Sequence, residues 1–344
     1  MPEYEFLCVN RFLGTELDAR AIRTALELGV LDNLETAGTL SMTELAAAAD
    51  LESGFMRLLI DMLEVNDVVA RTGDLVTLTP GFKTALRFSD LIEVRIALAD
   101  LVWPDIHNLF TQLLTDFPQF MALSKVFDLF RYDRCREITP GNLQMTGMWT
   151  RFTTCLTKYE SAGVLDAIDL NSITDFVDLG GNTGEFARQV CTRNPIVKAT
   201  VVDLPVVCAL GRDHIAACGD DATAARIVFF PADMLRDPLP AAADLVALKS
   251  VLHDWPDTEA ERLLERAFTL VRPGGRLVIF ERAPIETTGK RFPYVMGPNL
   301  VFLHFFRLAD LYLNKLKMLG LVSIDYRRIQ LDTDFHLIVA HRPQ

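Results

Sequence analysis

The sequence has 344 residues, of which 50% are hydrophobic and 23% are charged. A chain of this length is about right for two domains, and its composition excludes an intrinsically disordered protein. The formal net charge of −12 argues against a nucleic-acid partner, because a phosphate-binding surface needs clusters of lysine and arginine.

Signals for export, membrane insertion and metal binding are missing from the pattern. The first residues, MPEYEFLCVNRF, lack the basic and apolar regions of a secretory signal, and every long apolar run is interrupted by charges. The six cysteines are scattered, without a CxxC pair or a histidine at ligand spacing, which predicts free thiols and no metal site. We therefore expect a cytoplasmic protein without a membrane partner.

The chain from about residue 10 to 160 is predicted to be almost wholly helical. Apolar residues recur at helical spacing in LDARAIRTALELGVLDNL, and Ser41 with Glu44 fits a capping box that opens the next helix. A third amphipathic helix, GFMRLLIDMLEVN, precedes VVARTGDLVTLTP, a predicted hairpin that turns at Gly73 and Asp74. This order is typical of a winged helix. Because the third helix carries only one cation, Arg57, we favour a dimerisation and lid module over a DNA reader.

From about residue 173 the pattern changes to short apolar runs that alternate with helix-length segments. The runs are FVDLGG, KATVVDL, RIVFFPAD, DLVALKS and RLVIFERA. Such alternation predicts a Rossmann-like α/β fold, with a parallel sheet between helices. A final pair, VSIDYRRI and FHLIVAHR, is expected to pair antiparallel at the sheet edge. We assign 1–160 to the helical domain and 161–344 to the α/β domain.

A ligand crevice is predicted where the strands of this sheet end. The first strand runs from Asp178 into a turn with Gly180 and Gly181, whose missing Cβ atoms let the backbone approach a ligand. The second strand ends in Asp203 and Leu204, where a carboxylate can accept both ribose hydroxyls of an adenosine. Further candidates follow the third and fourth strands: Asp233 for the adenine amino group, Met234 for the adenine ring, Lys249 and Trp255.

The glycine-rich turn alone is weak evidence, because dinucleotide sites and ordinary strand-to-helix turns use the same residues. A dinucleotide needs a pyrophosphate seat at the helix N-terminus, whereas here the loop GGNTG is followed at once by Glu185. Acidic surroundings suit a sulfonium cation better than a pyrophosphate. We therefore favour a methyl donor over a nicotinamide cofactor.

These motifs resemble the class I methyltransferases, and specifically the O-methyltransferase family of the plant caffeic-acid and animal acetylserotonin enzymes, which also includes bacterial natural-product tailoring enzymes. The resemblance covers nearly the whole chain. In the C-terminal half it includes DLGGNTGEFA, VVDLP, PADML, LKSVLHDWPD and RPGGRLVIFE, in that order. It implies a winged-helix-like dimerisation domain, a homodimer, and S-adenosylmethionine (SAM) as cofactor, with S-adenosylhomocysteine as product.

The resemblance also assigns roles to single residues. It places the SAM contacts at Gly180, Asp203, Asp233, Met234 and Lys249. The general base of the family is the histidine of its HDW motif, here His253, and Glu281 matches the residue that flanks and orients it. A histidine suits the chemistry, because a phenol is a weak nucleophile until its proton is removed as the new bond forms.

One departure from the family pattern lies near the C-terminus. The family usually reads RTxxEF, often preceded by a second glutamate that braces the base, whereas this chain reads FFRLADLY from Phe305 to Tyr312. We predict that Phe306 or a nearby apolar residue occupies the place of the missing glutamate. Candidate acceptor-binding residues between the two domains are aromatic, methionine or histidine: Trp103, His107, Met145, Met148, Trp149, Phe152, Met296 and Phe302.

Three functions remain open from the sequence. The first is an O-methyltransferase that acts on a hydroxyl of a small aromatic or polyketide-like molecule. The second is a relative that keeps SAM but catalyses hydroxylation or a pericyclic rearrangement, which the missing glutamate motivates. The third is a winged-helix regulator that senses a metabolite.

Overall fold

The computed structural model of the protein describes residues 4–286 and 292–344. Each of its elements is named in chain order. The α-helices are α1 (Glu16–Glu27), α2 (Val30–Ala37), α3 (Met42–Ala48), α4 (Ser53–Val65), α5 (Pro80–Leu86), α6 (Ser89–Thr115), α7 (Phe117–Leu123), α8 (Lys125–Leu129), α9 (Pro140–Leu165), α10 (Glu185–Arg193), α11 (Pro205–Ala217), α12 (Asp221–Ala224), α13 (Asp257–Leu270), α14 (Gly297–Val301) and α15 (Asp310–Met318).

The strands form a small sheet and a large one. They are β1 (Thr39–Ser41), β2 (Val69–Thr72), β3 (Leu75–Leu78), β4 (Asp175–Leu179), β5 (Lys198–Asp203), β6 (Ile227–Pro231), β7 (Ala243–Lys249), β8 (Val271–Arg282), β9 (Val322–Gln330) and β10 (Asp334–His341). Short 3₁₀ turns cover Glu5–Phe12, Tyr132–Cys135, Leu252–Asp254, Tyr294–Met296 and Leu303–Phe305.

Backbone contacts divide the chain into two compact units. The described parts of Met1–Phe110 and Thr287–Val301 form the first unit, and Thr111–Glu286 with Phe302–Gln344 forms the second. This division differs from the predicted boundary at residue 160. The reason is that α9 packs against α10 and α11, so the residues before it belong with the sheet unit. Apolar periodicity alone could not show which unit a long amphipathic helix would join.

The first unit contains the helices and the hairpin that the sequence predicts. Ser41 caps α3, since its hydroxyl accepts the N–H of Glu44 at 3.2 Å and the Glu44 carboxylate accepts the N–H of Ser41 at 2.8 Å. The predicted first helix is divided in two at Gly29, which has a φ of +67°. The hairpin of β2 and β3 turns at Gly73, and β1 pairs with β3 as a third strand that the sequence did not predict.

The second unit is built on a seven-stranded sheet with the order β6-β5-β4-β7-β8-β10-β9. Strands β4 to β8 pair in parallel, whereas β10 pairs antiparallel with both β8 and β9. The predicted parallel sheet with an antiparallel terminal pair is therefore confirmed, and β9 forms the edge. The apolar residues of both inner strands are buried, as expected for strands that are covered on both faces: Phe176, Val177 and Leu179 of β4, and Leu245, Val246, Ala247 and Leu248 of β7.

This topology brings the carboxyl ends of β4, β5, β6, β7 and β8 to the same edge of the sheet. Every cofactor candidate predicted from the sequence lies at one of these ends or in the segment that follows it. Across the described ranges, the helices are all too short or too polar to cross a lipid bilayer.

Candidate active site

The glycine-rich turn joins β4 to α10 through backbone that other residues cannot adopt. Gly180 has a φ of +76°, and a Cβ built on it would lie 2.7 Å from Cγ2 of Val251. A Cβ on Gly181 would lie 2.6 Å from Cγ of Asp178. Asn182 has a φ of +54°, which its short polar side chain tolerates. At Gly180 and Gly181 the backbone therefore lies so close to Val251 and Asp178 that a side chain would collide with them.

Two carboxyl groups lie beside this turn, that of the buried Asp178 and that of the half-buried Asp203. The Asp203 carboxylate accepts the N–H of Asn182 at 2.8 Å and that of Leu204 at 2.7 Å. Burial raises the pKa of Asp203 to about 6, although these two N–H groups oppose the shift. Oδ2 of Asp178 is buried and has no hydrogen-bond partner among the described residues, and burial raises the pKa of Asp178 to about 7. Both groups gain from a ligand that donates hydrogen bonds or carries positive charge.

The predicted residues at the ends of β6 and β7 have partners within the chain. Nη2 of Arg136 donates to Oδ2 of Asp233 at 2.8 Å. Cε of Met234 would lie 3.4 Å from a Cβ on Gly180, so the thioether covers the turn. Nζ of Lys249 lies 3.0 Å from Oε2 of Glu160 on α9, in an ion pair that is almost fully buried. Lys249 thus pairs with a residue of α9, which could not be inferred from its position at the end of β7.

His253 lies in the 3₁₀ turn Leu252–Asp254, directly after β7, and Glu281 at the end of β8 holds it. Nδ1 of His253 is 2.6 Å from Oε2 of Glu281, whose side chain is fully buried. The other oxygen, Oε1, accepts the N–H groups of Val251 and Leu252, both at 2.7 Å. Because the carboxylate can only accept, Nδ1 carries the proton and Nε2 has a free lone pair.

Charged neighbours raise the pKa of His253. Burial by itself lowers this pKa, but the negative charges of Asp254 and Glu281 outweigh it, and Oδ1 of Asp254 lies 3.4 Å from Nε2. A histidine with a raised pKa is a stronger proton acceptor than a free imidazole. The pair therefore has the geometry of a general base with an orienting carboxylate.

One aromatic ring packs against His253, and another lies near Asp254 and Trp255. The ring of Phe306 meets that of His253 edge-on, with centroids 5.8 Å apart, and Phe306 is buried. This is the place for which the sequence predicted an apolar substitute for the second glutamate. The hydroxyl of Tyr132 donates to Oδ2 of Asp254 at 2.7 Å, and its ring lies 6.2 Å from that of Trp255. Tyr132 was missed from the sequence, because it follows no strand and belongs to no motif.

Only some of the predicted acceptor-binding residues of the second unit lie near one another. Trp149 on α9 and Phe302 both lie near Phe130, with ring centroids 5.7 Å and 6.0 Å away. Phe127 and Phe305 extend this group of rings, which we call the phenylalanine cluster: Phe117, Phe120, Phe127, Phe130, Phe302 and Phe305. Met145 and Phe152 are half-buried on α9, whereas Met148 is 50% exposed.

The candidates of the first unit form a separate group. The rings of Trp103 and Tyr294 are stacked with centroids 5.6 Å apart, and Nε1 of Trp103 donates to the carbonyl of Tyr294 at 2.8 Å. His107 is exposed and lies 5.5 Å from the Trp103 ring, measured between centroids. Met296 is half-buried, with Sδ 3.4 Å from Nδ2 of Asn299.

One side-chain group in the described ranges has metal-ligand spacing, which the sequence analysis overlooked. His214 and Cys218 lie four residues apart at the end of α11, and they meet Glu185 of α10. The Glu185 carboxylate already accepts hydrogen bonds from Arg188 and Gln189. All six cysteines are free thiols, as predicted.

Comparison with known protein families shows which family the residues around this site resemble. Residues 143–296 match the O-methyltransferase domain family. The chain carries an O-methyltransferase domain. The resemblance found in the motifs is thereby confirmed, and the matched segment contains the glycine-rich turn, the acidic strand ends, His253 and Glu281.

Curated relatives match part of the chain. A Streptomyces sahachiroi 3-hydroxy-5-methyl-1-naphthoate 3-O-methyltransferase is 36% identical over 115 residues, which is 33% of this chain and 32% of that protein. The Bos taurus acetylserotonin O-methyltransferase is 36% identical over 133 residues, 39% of this chain and 37% of the relative. The aligned segments thus span about a third of these relatives' length.

The fold extends further than these sequence matches. The crystal structure of human N-acetylserotonin methyltransferase in complex with SAM superposes with a TM-score of 0.71 at 21% identity, covering 96% of this chain and 95% of that one. Both units therefore have the fold of a SAM-dependent methyltransferase, with the Rossmann-like sheet predicted from the sequence and an N-terminal helical part.

Proposed function

We propose that the protein is a SAM-dependent O-methyltransferase that methylates a hydroxyl of a small aromatic or polyketide-like molecule, with His253 as general base. One observation carries the proposal: within an O-methyltransferase domain, the buried Glu281 orients His253 so that Nε2 is free, next to a glycine-rich turn flanked by acids. The crystal structure of the human N-acetylserotonin methyltransferase is of a complex with SAM, and the chain shares its fold.

The residues at the strand ends fit an adenosyl sulfonium ligand. Gly180 and Gly181 pack too closely against Val251 and Asp178 to carry side chains, and Asp178 offers a buried oxygen without a partner among the described residues. Nε1 of Trp255 is likewise buried and unpaired in the described part of the chain. We assign the cofactor contacts to the turn glycines and to Asp178, Asp203, Leu204, Asp233, Met234 and Trp255, with Lys249 acting from its ion pair.

Bound SAM would supply an electrophilic methyl group on a sulfonium. The chain's own contribution is alignment and proton removal. Nε2 of His253 would accept the proton of the hydroxyl as the O–H bond breaks, while the O–C bond forms and the bond from the methyl carbon to sulfur breaks, so that S-adenosylhomocysteine leaves. Glu281 keeps Nδ1 protonated and, together with Asp254, stabilises the imidazolium that results. The proton then leaves Nε2 for solvent, which restores the base.

The surroundings of the base favour a flat and uncharged acceptor. Asp254 and Glu281 place negative charge at the histidine, so an anionic group close to the reacting hydroxyl would be repelled. The phenylalanine cluster and Trp149 offer ring faces and edges to which an aromatic molecule can pack. The Streptomyces relative is named for a flat aromatic hydroxy acceptor, a naphthoate; because a naphthoate is an anion, this likeness supports the shape of the acceptor and not its charge.

Incubation with methyl-labelled SAM and a panel of phenols, naphthols and hydroxylated polyketides tests this proposal. We expect label to appear in an aryl ether together with an equal amount of S-adenosylhomocysteine. The Asp203→Ala variant, with its cofactor site impaired, is the matched control. If the protein binds SAM and turns over a metabolite but the label stays in SAM, the non-methylating alternative is correct instead.

We further propose a cytoplasmic homodimer formed through the first unit. Three apolar side chains of α4 are exposed: Phe55 at 61%, Leu58 at 57% and Val65 at 89%. Such a patch is costly in water and is typical of an interaction surface. We expect light scattering to give twice the chain mass of 38.5 kDa. The Phe55→Glu, Leu58→Glu double variant should be monomeric, whereas Lys198→Glu in the second unit should stay dimeric. A monomeric wild type would refute this prediction.

A further inference from the structure

The turn that carries His253 depends on contacts from outside itself. Leu252–Asp254 is a single 3₁₀ turn of three residues, which is too short to define its own geometry. Glu281 fixes its start by accepting the N–H groups of Val251 and Leu252. A second side chain fixes the carbonyl groups on both sides of the histidine.

That side chain is Arg307, which follows Phe306 in the segment where this chain departs from the family pattern. Its Nη1 donates to the carbonyl of Leu252 at 2.7 Å, and its Nη2 donates to the carbonyl of Trp255. Its Nε donates to Oδ1 of Asp257 at 2.6 Å. One planar guanidinium thus holds the peptide groups before and after His253, and its side chain is only 15% exposed.

The backbone of Arg307 is held in turn by the sheet. Its carbonyl oxygen lies 2.9 Å from Nε2 of His336 on β10, and Nδ1 of His336 lies 3.0 Å from the hydroxyl of Tyr326 on β9. His336 is buried, and burial lowers its pKa, so it stays neutral and donates one proton only. The histidine turn is therefore connected through Arg307 to the antiparallel edge of the sheet.

We propose that Arg307 is a positioning residue that holds His253 at the reacting centre. Phe306 closes the ring face of the base, and Arg307 fixes the turn on which the base lies. The guanidinium acts through the turn and does not touch substrate. This inference rests on the proposed function, because it assigns a role within the same site.

Three variants and a chemical rescue test this role. We expect Arg307→Ala and Arg307→Lys to lower kcat by about 10-fold to 10²-fold, because a displacement of the base of about 1 Å is enough for such a loss. Lysine should fail as well, since its single nitrogen cannot occupy the separate positions of Nε, Nη1 and Nη2 in the planar guanidinium. The Kd for SAM should change less than about twofold. The matched control is Arg327→Ala, which removes an exposed arginine that pairs with Asp325, and it should keep wild-type kcat.

Guanidinium chloride at millimolar concentration should restore part of the activity of Arg307→Ala, whereas sodium chloride at equal ionic strength should not. An unfolded variant would not be rescued in this way. A second readout needs no turnover. In wild-type protein the Nδ1 proton of His253 should be protected from exchange by Glu281, as seen by NMR of the imidazole groups. The His253→Ala spectrum assigns this signal, and Arg307→Ala should lose the protection.

The outcomes separate the two proposals. If wild-type protein transfers no methyl group to any acceptor, the proposed function fails, and the NMR measurement still decides the role of Arg307. If wild-type protein is active and Arg307→Ala keeps both its kcat and the protected proton, Arg307 is not a positioning residue.

Discussion

Replacement of His253 by alanine is expected to lower kcat about 10²-fold or more, while the Kd for SAM stays within about twofold. The physical reason is that Nε2, left free by the bond between Nδ1 and Glu281, is the proton acceptor for the hydroxyl. His253→Gln, which keeps the size but loses the basicity, should behave like alanine. His341→Ala, in the same unit but on β10, is the matched control and should leave turnover unchanged. Steady-state kinetics with labelled SAM measures both constants.

The same base predicts a pH dependence with a defined sign. His253 accepts a proton only when it is neutral, so kcat should rise as the pH rises through the pKa of this histidine. Burial alone would lower that pKa, but Asp254 and Glu281 raise it above the ordinary value of 6.5, so the inflection should lie on the alkaline side of 6.5. Glu281→Gln should move the inflection to lower pH and reduce kcat. Equal kcat for wild type and His253→Ala would show that His253 is structural.

Replacement of Asp203 by alanine is expected to weaken SAM binding by about 10²-fold, because hydrogen bonds from two ligand hydroxyls to a half-buried carboxylate are each worth more than a neutral bond. The carboxylate already orders the turn through the N–H of Asn182, so the variant also loosens the glycine-rich backbone. Titration calorimetry with SAM and with S-adenosylhomocysteine measures the loss.

Asp213→Ala is the matched control for this change, since Asp213 is an exposed aspartate on α11 of the same unit. Asp203→Asn keeps the shape of the side chain but removes its charge, and it should fall between wild type and alanine. Thermal unfolding of each variant separates lost affinity from lost fold. Unchanged affinity in a folded Asp203→Ala protein would remove Asp203 from the cofactor site.

The sequence determined the fold and the places where chemistry can occur. Alternating apolar runs and helix-length segments predicted the parallel sheet, and β4 to β8 occur where those runs lie. The carboxyl ends of parallel strands meet at one edge whatever side chains they carry. For this reason the glycine-rich turn, Asp203, Asp233 and His253 could all be assigned to one crevice from local sequence.

Which side chains pair in this crevice could not be predicted from local sequence and was seen first in the folded chain. Glu160 with Lys249, Arg136 with Asp233, and Arg307 with the His253 turn are each separated by tens of residues or more in the chain. Periodicity and turn chemistry describe what a residue does to its near neighbours, whereas these pairs depend on how α9 and the segment before α15 pack on the sheet. The observed division of the chain differs from the predicted boundary at residue 160 for the same reason. A helix joins the unit whose surface buries its apolar side, and local sequence does not show which surface that is.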